Sequence, residues 1–376
     1  MRTFYDSDIV VNFMLSEEAI LNEKKIVENN RIVLRDCQKQ KLLSEGKKNW
    51  DKFYNHYKTN FFKDRKWIKV EFDHIFKENL EYKKENSNDT ELLKESDDEK
   101  KQQKKLILEI GCGVGNSLIP LLIEYHNYDF IGIDFSKNAI NFLNEKWRKI
   151  VNMNNKLKDE KLVRDSEDVL NNDLDNVKNI NNHKNNLIND HFNNNDVNSY
   201  DSKYNYYDDD PSEKENLSDI YELKSYKKLG NLIKTCVVDI TTEDTPTCIC
   251  QFETVDIILL IFVLSSVQPD KMKNVINNSY KYLKKGGYVL LRDYGLYDLA
   301  QVRFANKKEK KISENFYVRG DKTFVYFFKI EELHDLFCKY GLFEEVENKY
   351  ITRIVKNRKR NIEMKRIWVQ SIFKKV

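Results

Sequence analysis

The stretch Leu106-Ile107-Leu108-Glu109-Ile110-Gly111-Cys112-Gly113-Val114-Gly115 is an apolar run that enters a glycine turn. The run is short, rich in leucine and isoleucine, and punctuated by glycine, so 105–110 reads as a buried strand. A helix is expected from Val114 to about Tyr125. In an open α/β sheet this is the place where backbone meets a nucleotide-like ligand, and Gly111, Gly113 and Gly115 leave no side chain in the way. A dinucleotide fingerprint needs a glycine at its sixth position for close helix contact, and Asn116 stands there instead. The pattern therefore points away from a pyrophosphate ligand.

Outward from this turn the chain alternates. The second strand is expected at Tyr128–Asp134, with a helix over 137–151. The core resumes with strands at 232–239 and 254–262. A helix then opens with Pro269 and reaches about Lys284. Gly286-Gly287 close it, and the fifth strand is Tyr288–Asp293. A loop (294–314), an aromatic hairpin-like stretch (Phe316–Phe328), a helix at 330–340 and two strands, 342–355 and 366–373, complete the series. Such an order predicts an open, mostly parallel sheet with an antiparallel edge. Upstream, 15–45 reads as helix with Ser16 as its cap before Glu17 and Glu18. Residues from Lys47 to Phe76 read as helix dense in aromatics and lysines.

Two segments lack periodicity. Residues 83–104 are charged and read as a loose connection. Between Asn171 and Asn198, 13 of 28 residues are asparagine, too polar to offset ordering entropy by burial. The segment 154–228 is therefore expected to be a disordered insertion in a surface loop, which a fold tolerates because loop closure becomes costlier only slowly with length. The expected organisation is an N-terminal helical region (1–82), the connection (83–104), and one α/β domain (105–376) interrupted at about 154–228.

Composition limits the alternatives. The chain has 376 residues, and 33% of them are charged, polar for a globular enzyme. Net charge is only +3, so any basic surface must be local. The six cysteines have no metal-ligand spacing, and reduced thiols with no metal are expected. Asp6, Asp8, Glu17 and Glu18 argue against a transit peptide, and no signal-peptide apolar core is present. The longest apolar run, Val255 to Val267, is broken by Asp256 and paired serines and is too short for a bilayer. The expectation is a soluble, cytoplasmic protein without membrane association, the nucleus being a second candidate compartment.

An acidic residue, Glu109, followed by G-x-G-x-G resembles motif I of class I S-adenosylmethionine (SAM) methyltransferases. The ligand would be a sulfonium amino acid joined to adenosine, with no phosphate to cradle. Asp134 ends the second strand, where a carboxylate can accept two ribose hydroxyls. Asp239 ends the third, where it can accept from an adenine amino group while Ile240 covers the ring. Ile261, late in the fourth strand, would line the opposite wall. The end of that strand reads Val263-Leu264-Ser265-Ser266-Val267, without the Asp/Asn-Pro-Pro-aromatic motif of exocyclic-amine methylases. No cysteine stands at the ends of the fourth or fifth strands, so covalent attack on a pyrimidine carbon lacks its nucleophile. Direct attack by a lone pair already free at neutral pH stays open.

Within Lys47–Lys69, eight Lys/Arg stand against two Asp, with seven aromatics interleaved. Positive charge finds phosphates and aromatic faces stack on unpaired bases. An amphipathic helix that buries its aromatics and solvates its lysines would show the same composition.

The run W-D-x-F-Y (50–54), then N-F-F-K-D-R-x-W (60–67), then L-E-I-G-C-G-x-G-N (108–116), is similar to the eukaryotic tRNA N3-methylcytidine methyltransferases of the methyltransferase-like 2/6/8 group. So are I-F-V-L-S-x-V-x-P-D-K-M (261–272), R-D-Y-G-L-Y-D (292–298) and E-N-F-Y-V-R (314–319). The ending, with W-V-Q-S-x-F-x-K at 368–375, resembles the serine-tRNA-specific member most closely. The resemblance implies a Rossmann-like class I methyltransferase fold preceded by a helical RNA-binding segment. It implies that Trp50 and Tyr54 close over SAM, beside Glu109, the three glycines, Asp134, Asp239, Ile240 and Ile261. It also implies a target cytidine in a tRNA anticodon loop and seryl-tRNA synthetase as partner.

The expected chemistry is attack of cytosine N3 on the SAM methyl of a flipped-out base. Phe61 or Phe62 is expected to stack on it. Arg65 and Arg292 are candidates for its O2 or backbone. Asp64 or Asp293 would take the exocyclic amine and the developing positive ring. Tyr294, Arg303, Tyr317 and Arg319 are expected near the same mouth. Other readings are a small-molecule or protein methyltransferase on the same sheet, or a tRNA-binding subunit whose SAM site is only structural.

Overall fold

A computed structural model of the chain describes residues 9–11, 13–81, 104–175, 225–357 and 362–376. The connection expected at 83–104 lies almost wholly outside the described residues, as does 176–224 of the asparagine-rich segment. The chain divides into two units, Met1–Arg148 with Lys228–Val376, and Lys149–Lys227.

The first unit is built on an eight-stranded sheet in the order β1-β10-β11-β6-β5-β2-β3-β4. Its strands are β1 (Ile9–Val11), β2 (Lys105–Ile110), β3 (Tyr128–Asp134), β4 (Asn231–Val237), β5 (Val255–Ile261), β6 (Leu283–Tyr294), β10 (Phe343–Asn357) and β11 (Ile362–Lys375). β6, β5, β2, β3 and β4 pair in parallel. β11 runs antiparallel between β6 and β10, and β1 adds an antiparallel edge beyond β10. Strand order reverses between β2 and β5, which places the switch point directly above the glycine turn. This is the class I methyltransferase arrangement. A small sheet of β7 (Lys311–Ser313), β8 (Phe316–Val318) and β9 (Phe324–Tyr326) forms the expected aromatic hairpin.

Side chains alternate across the strands, so each strand feeds two cores. On one face Leu108, Ile110, Ile131, Ile258 and Leu291 meet Val275 and Ile276 of the Pro269–Tyr282 helix and Leu333 and Phe337 of the Ile330–Cys338 helix. Glu109, Ile261 and Arg292 belong to the other face by the same alternation. The Pro269–Tyr282 helix starts where proline's missing N–H is harmless. Its C-terminus is closed by Lys375, whose ammonium donates to the Tyr280 (2.9 Å) and Leu283 (2.8 Å) carbonyls.

Several expectations need correction. The helix read over 15–45 is two, α1 (Glu17–Asn29) and α2 (Asp36–Ser44), because the chain between them joins β7: Leu34 N donates to Lys311 O at 2.9 Å. Ser16 caps α1 as expected, accepting from Ala19 N at 3.2 Å. The aromatic segment is α3 (Gly46–Tyr57), a turn at Lys58 (φ +53°), an irregular loop, α4 (Ile68–Glu71) and α5 (Asp73–Glu81). The helix expected from Val114 begins only at Leu118, as α6 (Leu118–Glu124), and the one expected at 137–151 continues as α7 (Lys137–Asp175), so the first part of the stretch read as disordered is helical. β4 stops at Val237, two residues short of Asp239. The loop expected at 294–314 holds a helix, Leu299–Ala305, capped by Asp298 accepting from Ala300 N.

In the second unit, Asn154 pairs with the Lys227 backbone through both its amide oxygen (3.0 Å) and its amide nitrogen (2.9 Å). No helix among the described residues is long and apolar enough to cross a membrane.

Candidate cofactor and substrate site

Beyond β2 the chain turns through Gly111 (φ +67°), Gly113 (φ +53°) and Gly115 (φ +86°), a left-handed region that glycine alone enters without strain. Neighbours enforce the same choice. A Cβ on Gly111 would stand 2.5 Å from Val263 Cγ2, and one on Gly113 would stand 2.6 Å from the Tyr54 hydroxyl. Asp134 holds the turn from below, accepting from Gly113 N at 3.0 Å through Oδ2 and from Ser136 N at 2.8 Å through Oδ1. Burial pushes its carboxyl up to about 6, and the Ser136 and Gly113 N–H groups oppose that rise. Each oxygen keeps a further lone pair, so the residue can still accept from a vicinal diol.

The helix α3 covers this turn. Phe53 and Tyr54 are buried against Val114 and Ala139, with Trp50, Tyr57, Phe61 and Phe62 packed around them. Trp50 stacks on Tyr54 at 5.7 Å. Thus most aromatics of the basic segment face inward, and its lysines are left outside: Lys47, Lys48 and Lys52 border an open concavity of about 450 Å³. Asp51, between the aromatics, accepts from the Ser136 hydroxyl at 2.6 Å, while Asn138 Nδ2 donates to the Asp51 carbonyl at 2.9 Å.

The loop after α3 is tied to the same turn by Asn116. Its amide nitrogen donates to Phe62 O (2.7 Å) and to Asp64 Oδ1 (3.0 Å), and its carbonyl accepts from Arg65 N (2.7 Å). The residue that excludes a dinucleotide fingerprint is therefore a strap for the loop. Lys146 also reaches Asp64 Oδ1 at 3.4 Å, while Asp64 Oδ2 is buried with no hydrogen-bond partner.

Arg65 turns inward. Its guanidinium donates to Ser117 Oγ (2.8 Å) and to the Ile261 carbonyl (3.4 Å), over the ring of Phe262. Burial lowers its pKa, and the nearby Glu109 charge resists this. Glu109 is fully buried, with neither oxygen in a hydrogen bond. Burial drives it up to about 8, with the Arg65 charge pulling the other way. Glu109, on the strand that enters the glycine turn, and Arg65, bonded to Ser117 just past it, thus interact electrostatically in the interior.

The other expected residues divide. Asp239 folds back on its own loop, accepting from Thr241 N (2.9 Å) and its hydroxyl (2.6 Å), while Ile240 is buried beside it. Ile261 is buried at the end of β5. Arg292 and Asp293 are neighbours on one strand, so they point to opposite faces and cannot share one cytosine. Arg292 lies under Trp67 (4.4 Å to the ring centre), bonded to Gln370 and paired with Glu71 at 3.4 Å, and burial lowers it to about 10. Its expected contact with substrate is corrected: the guanidinium is committed to protein.

Asp293 is also fully buried, accepting from Ser265 N and Tyr294 N, both at 2.9 Å, and burial raises it to about 6. It braces the turn after β5. Tyr294 and Tyr317 belong to an internal aromatic cluster with Phe304 and Phe327, so Tyr317, wholly buried, is core and not an RNA contact. Arg319 lies 5.6 Å from the Tyr294 ring centre and donates to Thr323 Oγ1 at 3.3 Å. Arg303 is half-buried on the Leu299–Ala305 helix, not on a loop.

Sequence reasoning passed over Asp51, Ser136 and Glu71 as site residues. Asp51 and Ser136 are 85 positions apart, and the only local signal was Ser136 standing two places after Asp134 before a helix, an N-cap pattern.

The positive-φ cradle and the diol-ready Asp134 suit SAM. A methyltransferase-domain family (Methyltransf_23) matches residues 79–343. The human protein named tRNA N(3)-cytidine methyltransferase METTL6 is 33% identical over 353 residues, covering 94% of this chain and 88% of its own length. The Saccharomyces cerevisiae protein named tRNA(Thr) (cytosine(32)-N(3))-methyltransferase is 30% identical, covering 93% of this chain and 40% of its own length. A Dictyostelium discoideum protein named O-methyltransferase 3 is 50% identical over 139 residues, 37% of this chain and 32% of its own length. With its switch point above a glycine turn built for SAM, the chain belongs to the tRNA N3-cytidine methyltransferase family of SAM-dependent enzymes.

Proposed function

We propose that this chain methylates N3 of an unpaired cytidine in the anticodon loop of tRNA, with serine tRNA as substrate and seryl-tRNA synthetase assisting its selection. SAM supplies an electrophilic methyl group on a sulfonium. The observation that carries the reading is the end of β5. Val263–Val267 offers neither an amine-methylase motif nor a thiol nucleophile, so the acceptor must bring its own free lone pair. Cytosine N3 is such an acceptor, unprotonated at pH 7, and no general base has to start the reaction.

The chain's residues then position and exclude water. Gly111–Gly115, Asp134, Asp239 and Ile240 hold SAM under Trp50 and Tyr54. Asp64, with one buried oxygen left unpartnered, is the carboxylate best suited to the exocyclic amine and the positive ring. Phe61 and Phe62, half-buried beside it, supply the stacking wall. Arg65 holds this loop in place from within. Arg303 and the outward lysines of α3 meet phosphate.

The relatives' names support the base and the atom. The serine assignment rests on the resemblance at 368–375, and the yeast relative's name points to threonine tRNA as the competing substrate. Nucleoside mass spectrometry of tRNA incubated with purified protein and labelled SAM, with and without seryl-tRNA synthetase, tests the whole reading. N3-methylcytidine in serine tRNA is expected; label in threonine tRNA alone would reassign the substrate, and no methylcytidine in any tRNA would refute the function. The half-identical O-methyltransferase 3 segment favours a second reading, transfer to a small-molecule hydroxyl, which requires RNA to remain unlabelled.

A further inference from the structure

The contacts of Asp51 form a continuous path from the covering helix to the cofactor carboxylate. Asp51 Oδ1 accepts from Ser136 Oγ at 2.6 Å. The same Ser136 donates its backbone N–H to Asp134 Oδ1 at 2.8 Å, and Asp134 Oδ2 accepts from Gly113 N at 3.0 Å. One turn beyond Asp51, the Tyr54 hydroxyl lies against Gly113, so the path closes into a ring. Asn138 adds a second tie: its side chain donates to the Asp51 carbonyl at 2.9 Å, and its backbone N–H approaches Asp51 Oδ1 at 3.5 Å.

The ring has an electrostatic logic. Ser136 stands directly before the first residue of α7, Lys137, and accepts from Ala139 N at 3.3 Å, as an N-cap does. Asp51 therefore brings a negative charge to the positive end of a long helix, where it is favoured. The same charge lies close enough to Asp134 to oppose its ionisation. Two carboxylates held around one serine are stable only while every donor is in place. A ligand that draws on Asp134 as a hydrogen-bond acceptor changes the demand on Ser136, and through it on Asp51.

We infer that Asp51 and Ser136 form a latch that couples closure of α3 to engagement of Asp134 by SAM, so that both are positioning residues for cofactor retention. The inference rests on Asp134 as the ribose carboxylate. It predicts that the latch governs how long SAM stays, because α3 must lift before SAM leaves, while association onto the open turn proceeds without it. A charge-assisted hydrogen bond of this type corresponds to roughly a 10- to 100-fold change in dissociation rate.

The experiment is stopped-flow SAM binding together with amide exchange of residues 46–57 at saturating SAM. Asp51→Ala and Ser136→Ala should each speed dissociation by about ten-fold or more with association little changed. The double variant should dissociate no faster than the faster-dissociating single one, and Ser136→Thr should restore the wild-type rate. In wild type SAM should slow exchange across α3; in both alanine variants that slowing should be lost although SAM is bound. Wild-type dissociation together with wild-type protection in the alanine variants overturns the latch, and so does strict additivity in the double variant. Asp134→Ala separates the two claims: undiminished SAM affinity there would remove the ribose assignment, while exchange in Ser136→Ala still reports on the latch.

Discussion

Glu109→Gln gives the sharpest test of the buried machinery beside the glycine turn. Glu109 is fully buried, makes no hydrogen bond through either oxygen, and holds its proton up to about pH 8 where an ordinary glutamate releases it near 4.5. In the unfolded chain the same carboxyl ionises near the ordinary value. Between these limits the folded chain carries one more proton than the unfolded chain, so stability falls as pH rises. The contribution is fully present below about pH 4.5, declines through the interval and is lost once pH passes about 8. Linkage sets the slope at about 1.36 kcal/mol per pH unit. From pH 5.5 to 7.5 the expected loss is therefore roughly 2–3 kcal/mol.

Glutamine keeps the shape and cannot ionise. Urea denaturation of the ligand-free protein, followed by tryptophan fluorescence at both pH values, should show the variant gaining on wild type by that amount as pH rises. Asp134 and Asp293, each raised to about 6, contribute slopes of the same sign in both proteins and cancel in the difference. A constant offset between the two proteins across this range would refute the reasoning and show that Glu109 is ionised and paired with Arg65.

The same logic extends to its neighbours. Arg65→Met should destabilise the fold by about 2–3 kcal/mol, because it removes the guanidinium's hydrogen bonds to Ser117 Oγ and the Ile261 carbonyl; undiminished stability in thermal melts would mean that Arg65 serves substrate alone. Gly113→Ala should lose about 1–2 kcal/mol to backbone strain and weaken SAM binding in calorimetry by displacing Tyr54, whereas Gly320→Ala, with nothing within 4 Å, should be silent in both assays. Arg292→Met should reduce stability by about 2–4 kcal/mol with SAM affinity retained; a stable variant that binds SAM yet fails to methylate RNA would restore Arg292 as a substrate contact.

The sheet was legible before any coordinates because its strands are short apolar runs bounded by glycine, proline and acidic residues. The glycine turn was legible because positive φ restricts residue choice locally. Asp134 belongs to the same class, since its place at a strand end is a matter of counting. Local pattern was blind to direction and to partnership. The alternation that separates Arg292 from Asp293 is a property of a strand whose existence was foreseen, yet only the paired sheet says that one meets Glu71 and the other Ser265. Composition likewise announced an aromatic and basic segment between Lys47 and Lys69, but it could not say which side faces in. Burial against Val114 and Ala139 decided that, turning the rings toward the cofactor turn and the lysines away. Arg65 and Tyr317 show the same limit: a charged or polar tip looks available in sequence, and only the surrounding chain reveals that it already has a place inside. What a sequence determines alone is what depends on a residue and its near neighbours, namely period, turn chemistry and charge. What the tertiary structure decided here is which distant groups share a hydrogen bond, because Asp51 and Ser136, or Glu71 and Arg292, meet only after the sheet has brought their elements together.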